Sequence, residues 1–329
     1  MQALVYEEGR VRPRTVAAPA AAPGHTEIRV LRTGLCGTDI GAVRKGRPAV
    51  TDNTTMGHEI VGVRVSDGRR VVVNPLVSCG ICSFCRSGVT NLCTALQIIG
   101  VHMDGGFAEY VSVPDNQVIE VPSECTDEQA GIAEPVATAL HAWNRAGFGP
   151  GSRVGIVGAG AIGLCVLSVA TEKGATNIGV TDVDPLKRDH ALKNGATAVS
   201  ASLEEEYDVV FECVGLEATR KDALNAVRSG GTLILVGLAD ATAAFDGRSI
   251  VTFERSVIGS FGYLHQDFVE ALPITAKMST DWVTLVPLQD GPGLLDGTAT
   301  PPAGSAKVHL NFAPPSSGDA LTLETRSTQ

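Results

Sequence analysis

The run VGIVGAGAIGLCVLSVATEKGA, residues 154–175, decides the class of fold. An apolar strand pattern passes directly into glycines spaced G-x-G-x-x-G and then into a helix pattern, which is the context that a dinucleotide site requires. Gly158 allows the tight turn, Gly160 lets the backbone approach a pyrophosphate, and Gly163 lets helix and strand pack closely. The first helical residues then offer free N–H groups to the phosphates: Ala161 and Ile162. The run therefore predicts a dinucleotide-binding unit.

The next strand pattern, NIGVTDVD, carries the residue that selects the nucleotide. Asp182 stands near its end, where a carboxylate can accept hydrogen bonds from the adenosine ribose hydroxyls. The same carboxylate would repel a 2′-phosphate, so the sequence favours NAD over NADP. Lys187 and Arg188 lie just beyond and soften that preference. A glycine-rich turn in an α/β domain that binds no nucleotide is the alternative interpretation.

Strand and helix patterns alternate on either side of this unit. Continuous apolar strands in such a series predict a parallel sheet covered on both faces, a doubly wound α/β domain that we assign to residues 139–262. Period-two patterns between Gly and Pro residues predict an irregular antiparallel β domain over residues 1–138. We expect residues 263–329 to return to the first domain, with the stretch DGPGLLDGTATPPAGSA as a loop.

Composition excludes several classes of function. The 329 residues carry a formal net charge of −10, which argues against a protein that binds nucleic acid through its phosphates. No apolar run reaches the ~18 residues of a membrane span, and the first residues lack the apolar core of a signal peptide. The sequence therefore predicts a cytoplasmic protein without nucleic-acid or membrane partners.

Four of the eight cysteines crowd into one stretch with little periodicity: Cys79, Cys82, Cys85 and Cys93. In a chain without an export signal, a tight cluster favours a metal site over disulfides. Four thiolates at short spacing suit a closed, tetrahedral zinc ion, and metal binding would order a segment that cannot bury enough surface alone. We predict a structural zinc site here; reduced buried cysteines and an iron–sulfur cluster are the alternatives.

A second set of metal-ligating residue types is spread along the chain. Cys36 stands in GLCGTD, His58 and Glu59 in MGHEI, and Glu134 in AEPV. A catalytic zinc ion takes three protein ligands from sulfur, nitrogen and oxygen donors and leaves a fourth position for water or substrate. Spacing alone supports this interpretation only weakly, because a histidine beside a glutamate is more often structural.

The motifs GLCGTD, GHE, the four-cysteine segment, GGFAEYV and GAGAIG, in this order, resemble the zinc-dependent medium-chain dehydrogenase/reductases. The resemblance implies a GroES-like catalytic domain, a Rossmann cofactor domain, and an active site between them. The AEPV motif is similar to the polyol and sugar-acid dehydrogenase branch, in which a glutamate replaces a cysteine ligand. The family's members are typically dimers or tetramers, so a homodimer or homotetramer is implied as well.

The resemblance also implies roles for individual residues. The catalytic zinc ion would have three ligands: Cys36, His58 and Glu134. Glu59 would lie behind the metal or exchange with a ligand, and Asp39 would orient His58. Thr38 would hydrogen-bond the reacting oxygen and begin proton removal. With the structural site, the expected content is two zinc ions per chain.

One departure from the family concerns the exit of the proton. Many relatives carry a histidine three residues after the threonine, and this chain has Gly41 there. His102 is a candidate substitute, with a structural role or a water molecule as alternatives. The sequence therefore does not identify the group that passes the proton to solvent.

The leading hypothesis is a zinc-dependent, NAD-linked dehydrogenase that oxidises a secondary alcohol of a small polyol, sugar acid or cyclic polyhydroxy compound by hydride transfer. Two alternatives remain at this stage. One is a biosynthetic reductase that acts on a ketone, imine or enone with NADPH. The other is a dinucleotide-binding sensor without catalytic activity.

Overall fold

Short antiparallel strands form the N-terminal part of the chain in the computed structural model, which describes residues 1–20, 22–46, 49–204 and 206–312. Ten strands lie in this part: β1 (Gln2–Glu7), β2 (Arg10–Thr15), β3 (His25–Leu35), β4 (Thr54–Thr55), β5 (Glu59–Arg64), β6 (Arg70–Val73), β7 (Leu76–Val77), β8 (Gln97–Ile98), β9 (Tyr110–Pro114) and β10 (Val118–Glu120). Three helices interrupt them: α1 (Gly37–Lys45), α2 (Ser83–Arg86) and α3 (Asp127–Ala130). The irregular β domain predicted from period-two patterns is therefore present.

The dinucleotide-binding unit follows helix α4 (Ala133–Ala146). Its helices are α5 (Ala161–Glu172), α6 (Pro185–Lys193), α7 (Glu217–Asn225), α8 (Gly247–Thr252) and α9 (His265–Thr275). Its strands are β11 (Arg153–Val157), β12 (Asn177–Thr181), β13 (Ala198–Ser200), β14 (Tyr207–Glu212), β15 (Val227–Leu235) and β16 (Ser256–Gly259). All neighbouring strands pair in parallel, in the order β13-β12-β11-β14-β15-β16. The predicted parallel sheet is confirmed.

The C-terminal elements of the described chain join the first sheet. They are β17 (Val283–Pro287), α10 (Gly291–Asp296) and β18 (Lys307–Asn311). Strand β18 pairs antiparallel with β3 and parallel with β17, in a sheet of order β10-β6-β5-β3-β18-β17 to which β9 is added beside β3. The part of the predicted return that falls on residues 313–329 lies outside the described residues.

Helix α10 corrects the expectation of a loop in this region. Glycine and proline are frequent there and locally favour a loop, but Leu294 and Leu295 are buried beneath the first domain. The Arg44 guanidinium of α1 donates hydrogen bonds to the carbonyl oxygens of these two leucines, at 2.9 Å each. A tertiary contact thus overrides the local preference, as it often does for short helices.

Helix α4 connects the two sheets. It packs between α5 and α9, and Trp143 on its buried face stacks on Phe211 of β14 with ring centroids 6.1 Å apart. The predicted boundary between residues 138 and 139 falls inside this helix, and the division into domains stays a prediction. Within the described residues, no helix is both long and apolar enough to cross a membrane.

Candidate dinucleotide and metal sites

The glycine loop has the backbone geometry that each glycine was predicted to supply. Gly158 has φ = +98°, in the left-handed region that favours glycine. A Cβ atom on Gly163 would lie 1.8 Å from the carbonyl oxygen of Gly158, so no side chain fits between helix and strand. A Cβ atom on Gly160 would meet no atom within 4 Å, because this residue faces open space. The loop thus leaves room above the first turn of α5, where a pyrophosphate would bind.

Asp182 lies directly beside this loop. Its carboxylate accepts hydrogen bonds from the backbone N–H groups of Ala159 and Asp184, both at 2.9 Å. The Arg188 guanidinium donates to the carbonyl oxygen of Asp182 at 2.6 Å and so faces the backbone of the turn. Lys187 is partly exposed in the first turn of α6. The carboxylate is therefore fixed at the strand end from which sequence analysis expects it to meet a ribose.

The four clustered cysteines converge on one point. Their sulfur atoms all lie within 4.8 Å of one another, and no disulfide joins them. The Sγ atoms of Cys82 and Cys85 are 3.5 Å apart, and the backbone N–H groups of Cys79 and Ala95 donate to the sulfur of Cys93. Such spacing and N–H donors fit thiolates around a tetrahedral zinc ion.

The electrostatics of this cluster differ from one thiol to the next. The backbone N–H of Cys85 lowers the pKa of Cys82 to about 6. Burial, followed by the thiol of Cys82, raises the pKa of Cys85 to about 11. Neighbouring thiolates repel one another, so the four thiols do not all ionise readily without a metal ion. A divalent cation offsets that repulsion.

Three members of the second predicted set are brought together from distant parts of the chain. Cys36 precedes the first turn of α1, His58 precedes β5, and Glu59 begins β5. One ligand atom from each lies within 4.8 Å of the others. Gly34 makes this possible, because a Cβ atom there would lie 1.9 Å from Oε2 of Glu59. Sequence analysis missed this requirement, since it follows from the pairing of β3 with β5.

Asp39 lies beside the histidine of this group. Its Oδ1 atom lies 3.3 Å from Nδ1 of His58, and its Oδ2 atom accepts a hydrogen bond from the N–H of Cys36 at 2.9 Å. Burial lowers the pKa of His58, but the charges of Asp39 and Cys36 outweigh it and raise that pKa well above its usual value. Because Nδ1 faces Asp39, the other ring nitrogen remains for a metal ion.

Lys307 is a member of this site that sequence analysis missed. It begins β18, is 4% exposed, and its ammonium group donates a short hydrogen bond to Oε1 of Glu59. The charges of Glu59 and Cys36 outweigh burial and raise the pKa of Lys307. Oε2 of Glu59 is buried without a hydrogen bond from any described residue. One carboxylate oxygen is thus held by the lysine and the other remains free to bind a metal ion.

Glu134 lies near this group but outside the set of three ligand atoms. It stands in the first turn of α4, where burial and then the charge of Glu59 raise its pKa to about 7. His58 and Lys307 act in the opposite direction. The hydroxyl of Tyr263, which follows β16, also interacts with the Glu134 carboxyl. The Glu59 carboxylate therefore disfavours the ionised form of Glu134 in one buried site.

The balance of charge tests whether a metal ion fits. Four acidic groups converge here: Cys36, Asp39, Glu59 and Glu134. Two basic groups lie among them, the ammonium of Lys307 and the imidazole of His58. Several buried negative charges are costly without positive partners. A divalent cation among thiol, imidazole and carboxylate donors supplies that charge, and this donor set suits zinc. The residues present therefore fit a catalytic zinc ion.

The candidate proton-transfer residues belong to two different elements of the fold. Thr38 is partly exposed in the first turn of α1, between Cys36 and Asp39. Gly41 lies within α1 and offers no side chain. His102 is exposed, and its Nδ1 atom accepts a hydrogen bond from the backbone N–H of Ile98 at 2.9 Å. That bond gives His102 a structural contact in its own turn.

Comparison with known proteins places the chain among its relatives. Residues 22–123 match the model of the alcohol dehydrogenase GroES-like domain, and residues 161–277 match that of the zinc-binding dehydrogenases. L-Galactonate-5-dehydrogenase of Escherichia coli K12 is 33% identical over 280 residues, which cover 78% of this chain and 82% of that protein. L-Idonate 5-dehydrogenase of Vitis vinifera is 32% identical over 74% of this chain and 75% of its own length.

The chain also resembles solved structures. A zinc-binding dehydrogenase from Sinorhizobium meliloti, bound to NADP, superposes with a TM-score of 0.88 and 30% identity, covering 94% of this chain and 98% of that one. A GroES-like domain beside a dinucleotide-binding sheet defines the class of zinc-type alcohol dehydrogenases. This chain belongs to the zinc-dependent medium-chain dehydrogenase/reductase family, in the branch of the polyol and sugar-acid dehydrogenases. The family and the fold class predicted from the sequence are both confirmed.

Proposed function

We propose that this chain is a zinc-dependent, NAD-linked dehydrogenase that oxidises a secondary alcohol of a small polyhydroxy compound. One observation carries the proposal: the metal-donor group (Cys36, His58, Glu59 and Glu134) is connected to the glycine loop through two packed helices. Glu134 stands in the first turn of α4, and α4 packs against α5, the helix that the glycine loop opens. Hydride transfer from an alcohol to a nicotinamide requires the metal centre and the dinucleotide site to be held close together.

The chain's own residues divide the work between binding and proton transfer. Gly158, Gly160 and Gly163 receive the pyrophosphate, and Asp182 accepts hydrogen bonds from the ribose. Asp39 keeps one ring nitrogen of His58 engaged, so that the other faces the metal. When bound, zinc supplies Lewis-acid polarisation of the alcohol oxygen and NAD accepts the hydride.

In this proposal Thr38 relays the alcohol proton: its hydroxyl oxygen accepts that proton while its own hydroxyl proton passes to a water molecule. It is partly exposed in the first turn of α1, between the proposed ligand Cys36 and Asp39. Because residue 41 is a glycine, the proton passes from Thr38 to solvent without a histidine.

Relatives support the class of substrate. The proteins from Escherichia coli and Vitis vinifera are named for galactonate and idonate, which are polyhydroxy acids. A panel of polyols, sugar acids and cyclic polyols with NAD⁺, followed at the absorbance of NADH, tests the proposal. Turnover of at least one member is the expected result. A zinc-loaded protein that oxidises none of them, and reduces none of the matching ketones, would overturn it.

A reductase that uses NADPH is the second candidate, and the NADP bound to the Sinorhizobium meliloti protein favours it. The same panel separates the two, because a reductase would prefer the ketones with NADPH.

We also propose two zinc ions per chain and a homodimer or homotetramer. Metal analysis and light scattering of the purified protein test these two statements.

The preference for NAD gives a first prediction. Replacing Asp182 by asparagine removes the charge that would repel a 2′-phosphate, while one side-chain oxygen still accepts a backbone hydrogen bond. We expect the ratio of kcat/KM with NADP⁺ to that with NAD⁺ to rise about tenfold, the size of one close like-charge contact near a protein surface. Asp189→Asn, an exposed acid on the following helix α6, is the matched control. An unchanged ratio in the Asp182 variant would contradict the assignment.

A second prediction concerns the third ligand of the catalytic zinc. We propose that Glu134 and Glu59 exchange in this position, because both carboxyl groups reach the same buried site and Oε2 of Glu59 lacks a hydrogen bond from the described residues. Glu59→Gln and Glu134→Gln should each weaken zinc binding by about 10–100-fold, while the double variant keeps only the cysteine-bound ion. Zinc content after dialysis against a chelator measures this.

Glu128→Gln, on the neighbouring helix α3, serves as the control and should keep both metal ions. If one single variant loses the catalytic zinc as completely as the double variant, that glutamate alone is the ligand and exchange is excluded.

A further inference from the structure

Glu212, the last residue of β14, is a buried acid that belongs to neither metal group, and it is 0% exposed. One of its carboxyl oxygens, Oε1, accepts hydrogen bonds from the backbone N–H groups of Val214 and Gly215, at 3.0 and 2.7 Å. The same oxygen accepts from the hydroxyl of Thr219 at 2.7 Å. The other oxygen, Oε2, is buried without a hydrogen bond from any described residue. Burying a carboxyl group costs free energy that an apolar side chain would avoid, so we expect its hydrogen bonds to serve a purpose beyond filling space.

The main chain of Glu212 holds a second loop beside the first. Its carbonyl oxygen accepts the N–H groups of Val236 and Gly237, which follow β15, at 2.9 and 3.0 Å. The two loops lie backbone against backbone, because a Cβ atom on Gly237 would come within 2.2 Å of the backbone nitrogen of Gly215. The N–H of Asp240 also donates to the carbonyl oxygen of Gly215 at 2.8 Å. Glu212 therefore lies where the loops after β14 and β15 meet.

The loop after β14 contacts the glycine loop. The N–H of Cys213 donates to the carbonyl oxygen of Val157 at 2.9 Å, and a Cβ atom on Gly158 would lie 2.5 Å from Cγ2 of Val214. The chain runs from β11 to β12 and β13 on one side of the sheet and continues with β14 on the other side of β11. In open α/β sheets, ligands bind outside the carboxyl ends of the strands at such a switch point. The loop that Glu212 holds is thus beside the expected dinucleotide position.

The loop after β15 reaches the metal side of the molecule. The ammonium group of Lys45, in the last turn of α1, donates to the carbonyl oxygen of Ala239 at 3.1 Å. Helix α1 also carries Thr38 in its first turn and follows Cys36. The two loops that meet at Glu212 therefore connect the glycine loop with the helix of the proposed catalytic group.

We propose that Glu212 is a positioning residue for the cofactor, whose carboxyl group holds the loops after β14 and β15 in the form that receives the dinucleotide. The inference rests on the dinucleotide site of the proposed function and deepens it. Every residue at this position supplies a carbonyl oxygen, so the side chain is the part that substitution tests. The Oε1 atom is the acceptor on which the three donors of the first loop converge.

The test is the Kd of NADH, measured by fluorescence titration of the full-length, zinc-loaded protein. Glu212→Met keeps the length of the side chain but offers no acceptor, and should raise the Kd about tenfold, the size of one or two lost hydrogen bonds. Glu212→Gln, whose amide oxygen can replace Oε1, should bind NADH within about threefold of the wild type. Glu212→Asp withdraws the acid by one methylene group and should also raise the Kd, which keeps the test available if the methionine variant does not fold.

Asp208→Leu is the matched control, because it removes hydrogen-bond acceptors near the opposite end of the same strand. The Asp208 carboxylate accepts from the N–H of Arg153 at 2.7 Å and from Nε of Arg228 at 2.5 Å. This variant should lower the melting temperature and leave the Kd of NADH unchanged, since the amino end of β14 lies away from the expected dinucleotide position.

A merely structural acid predicts a different pattern. Glu212→Met and Glu212→Asp would then lower the melting temperature, as Asp208→Leu does, while the folded proteins bind NADH with the wild-type Kd. That result would overturn the inference. Equal loss of binding in Glu212→Gln and Glu212→Met would overturn it as well, because the acceptor oxygen would then make no difference.

Failure of the proposed function is distinguishable from failure of this inference. NADH binding needs no substrate, so a protein that oxidises no alcohol can still show the expected effects of the Glu212 variants. Such a result supports the inference and overturns only the dehydrogenase activity. A wild-type protein that binds neither NADH nor NADPH would overturn both.

Discussion

Replacing Cys36 by serine should abolish turnover while leaving the fold in place. The substitution removes the thiolate donor of the catalytic zinc, so we expect the variant to hold one zinc ion instead of two. Turnover should fall by at least about 10³-fold, because loss of the Lewis acid removes several kcal/mol of transition-state stabilisation. Metal analysis and initial rates with the best substrate measure the two effects.

The structure indicates that this substitution leaves the local backbone unchanged. Cys36 is the N-cap residue of α1, where its backbone is extended and the Asp39 side chain accepts from its N–H. Serine is among the best residues at such a position, so helix formation should not suffer. Cys125→Ser, a buried cysteine outside both metal groups, is the control and should keep both ions. A Cys36→Ser protein with two zinc ions and wild-type rates would contradict the assignment of Cys36 as a ligand of the catalytic zinc.

Replacing Cys82 by serine should unfold the four-cysteine segment locally. This segment buries little apolar surface, as Ile81 is 74% exposed and Phe84 is 39% exposed. A metal ion is therefore the main source of its order, and structural zinc contributes about 10–16 kcal/mol of binding free energy in small zinc domains. We expect loss of one zinc ion and tryptic cleavage after Arg86 at a rate raised by about 100-fold or more.

The effect should reach beyond the segment itself. Asn91, near its end, donates to the carbonyl oxygen of Phe261 at 2.7 Å and contacts His141 of α4, which is bound to Asp267 at 2.7 Å. Unfolding therefore removes a partner from the buried network between α4 and α9. Hydrogen exchange in α4 should rise in Cys82→Ser and stay unchanged in Cys125→Ser. A Cys82→Ser protein with both zinc ions and native resistance to trypsin would show that the segment needs no metal.

The dinucleotide loop was predictable from sequence because its requirements are local. Gly158 and Gly163 are five residues apart, and the turn between a strand and a helix decides their backbone geometry. The four clustered cysteines were predictable for the same reason, since a 15-residue segment keeps its sulfur atoms within reach of one another. Short separation along the chain leaves few alternatives in space.

The proposed catalytic group was predicted only through the family resemblance. Cys36, His58 and Glu134 are common residue types at wide separations, and their spacing alone says little about contact. Lys307 was missed although it carried a signal, namely a lysine at the start of the apolar strand KVHLN. Its partner Glu59 lies 248 residues away, and only the pairing of β3 with both β5 and β18 brings the two together.

By itself, the sequence of this protein determined the fold class, the dinucleotide loop and the grouping of four cysteines. Each depends on periodicity or on residues close in the chain, where covalent connection limits the possible geometry. Only the tertiary structure decided that Lys307 neutralises Glu59 and that Gly34 makes room for it. These contacts depend on strand register, which long-range burial selects and no local pattern encodes.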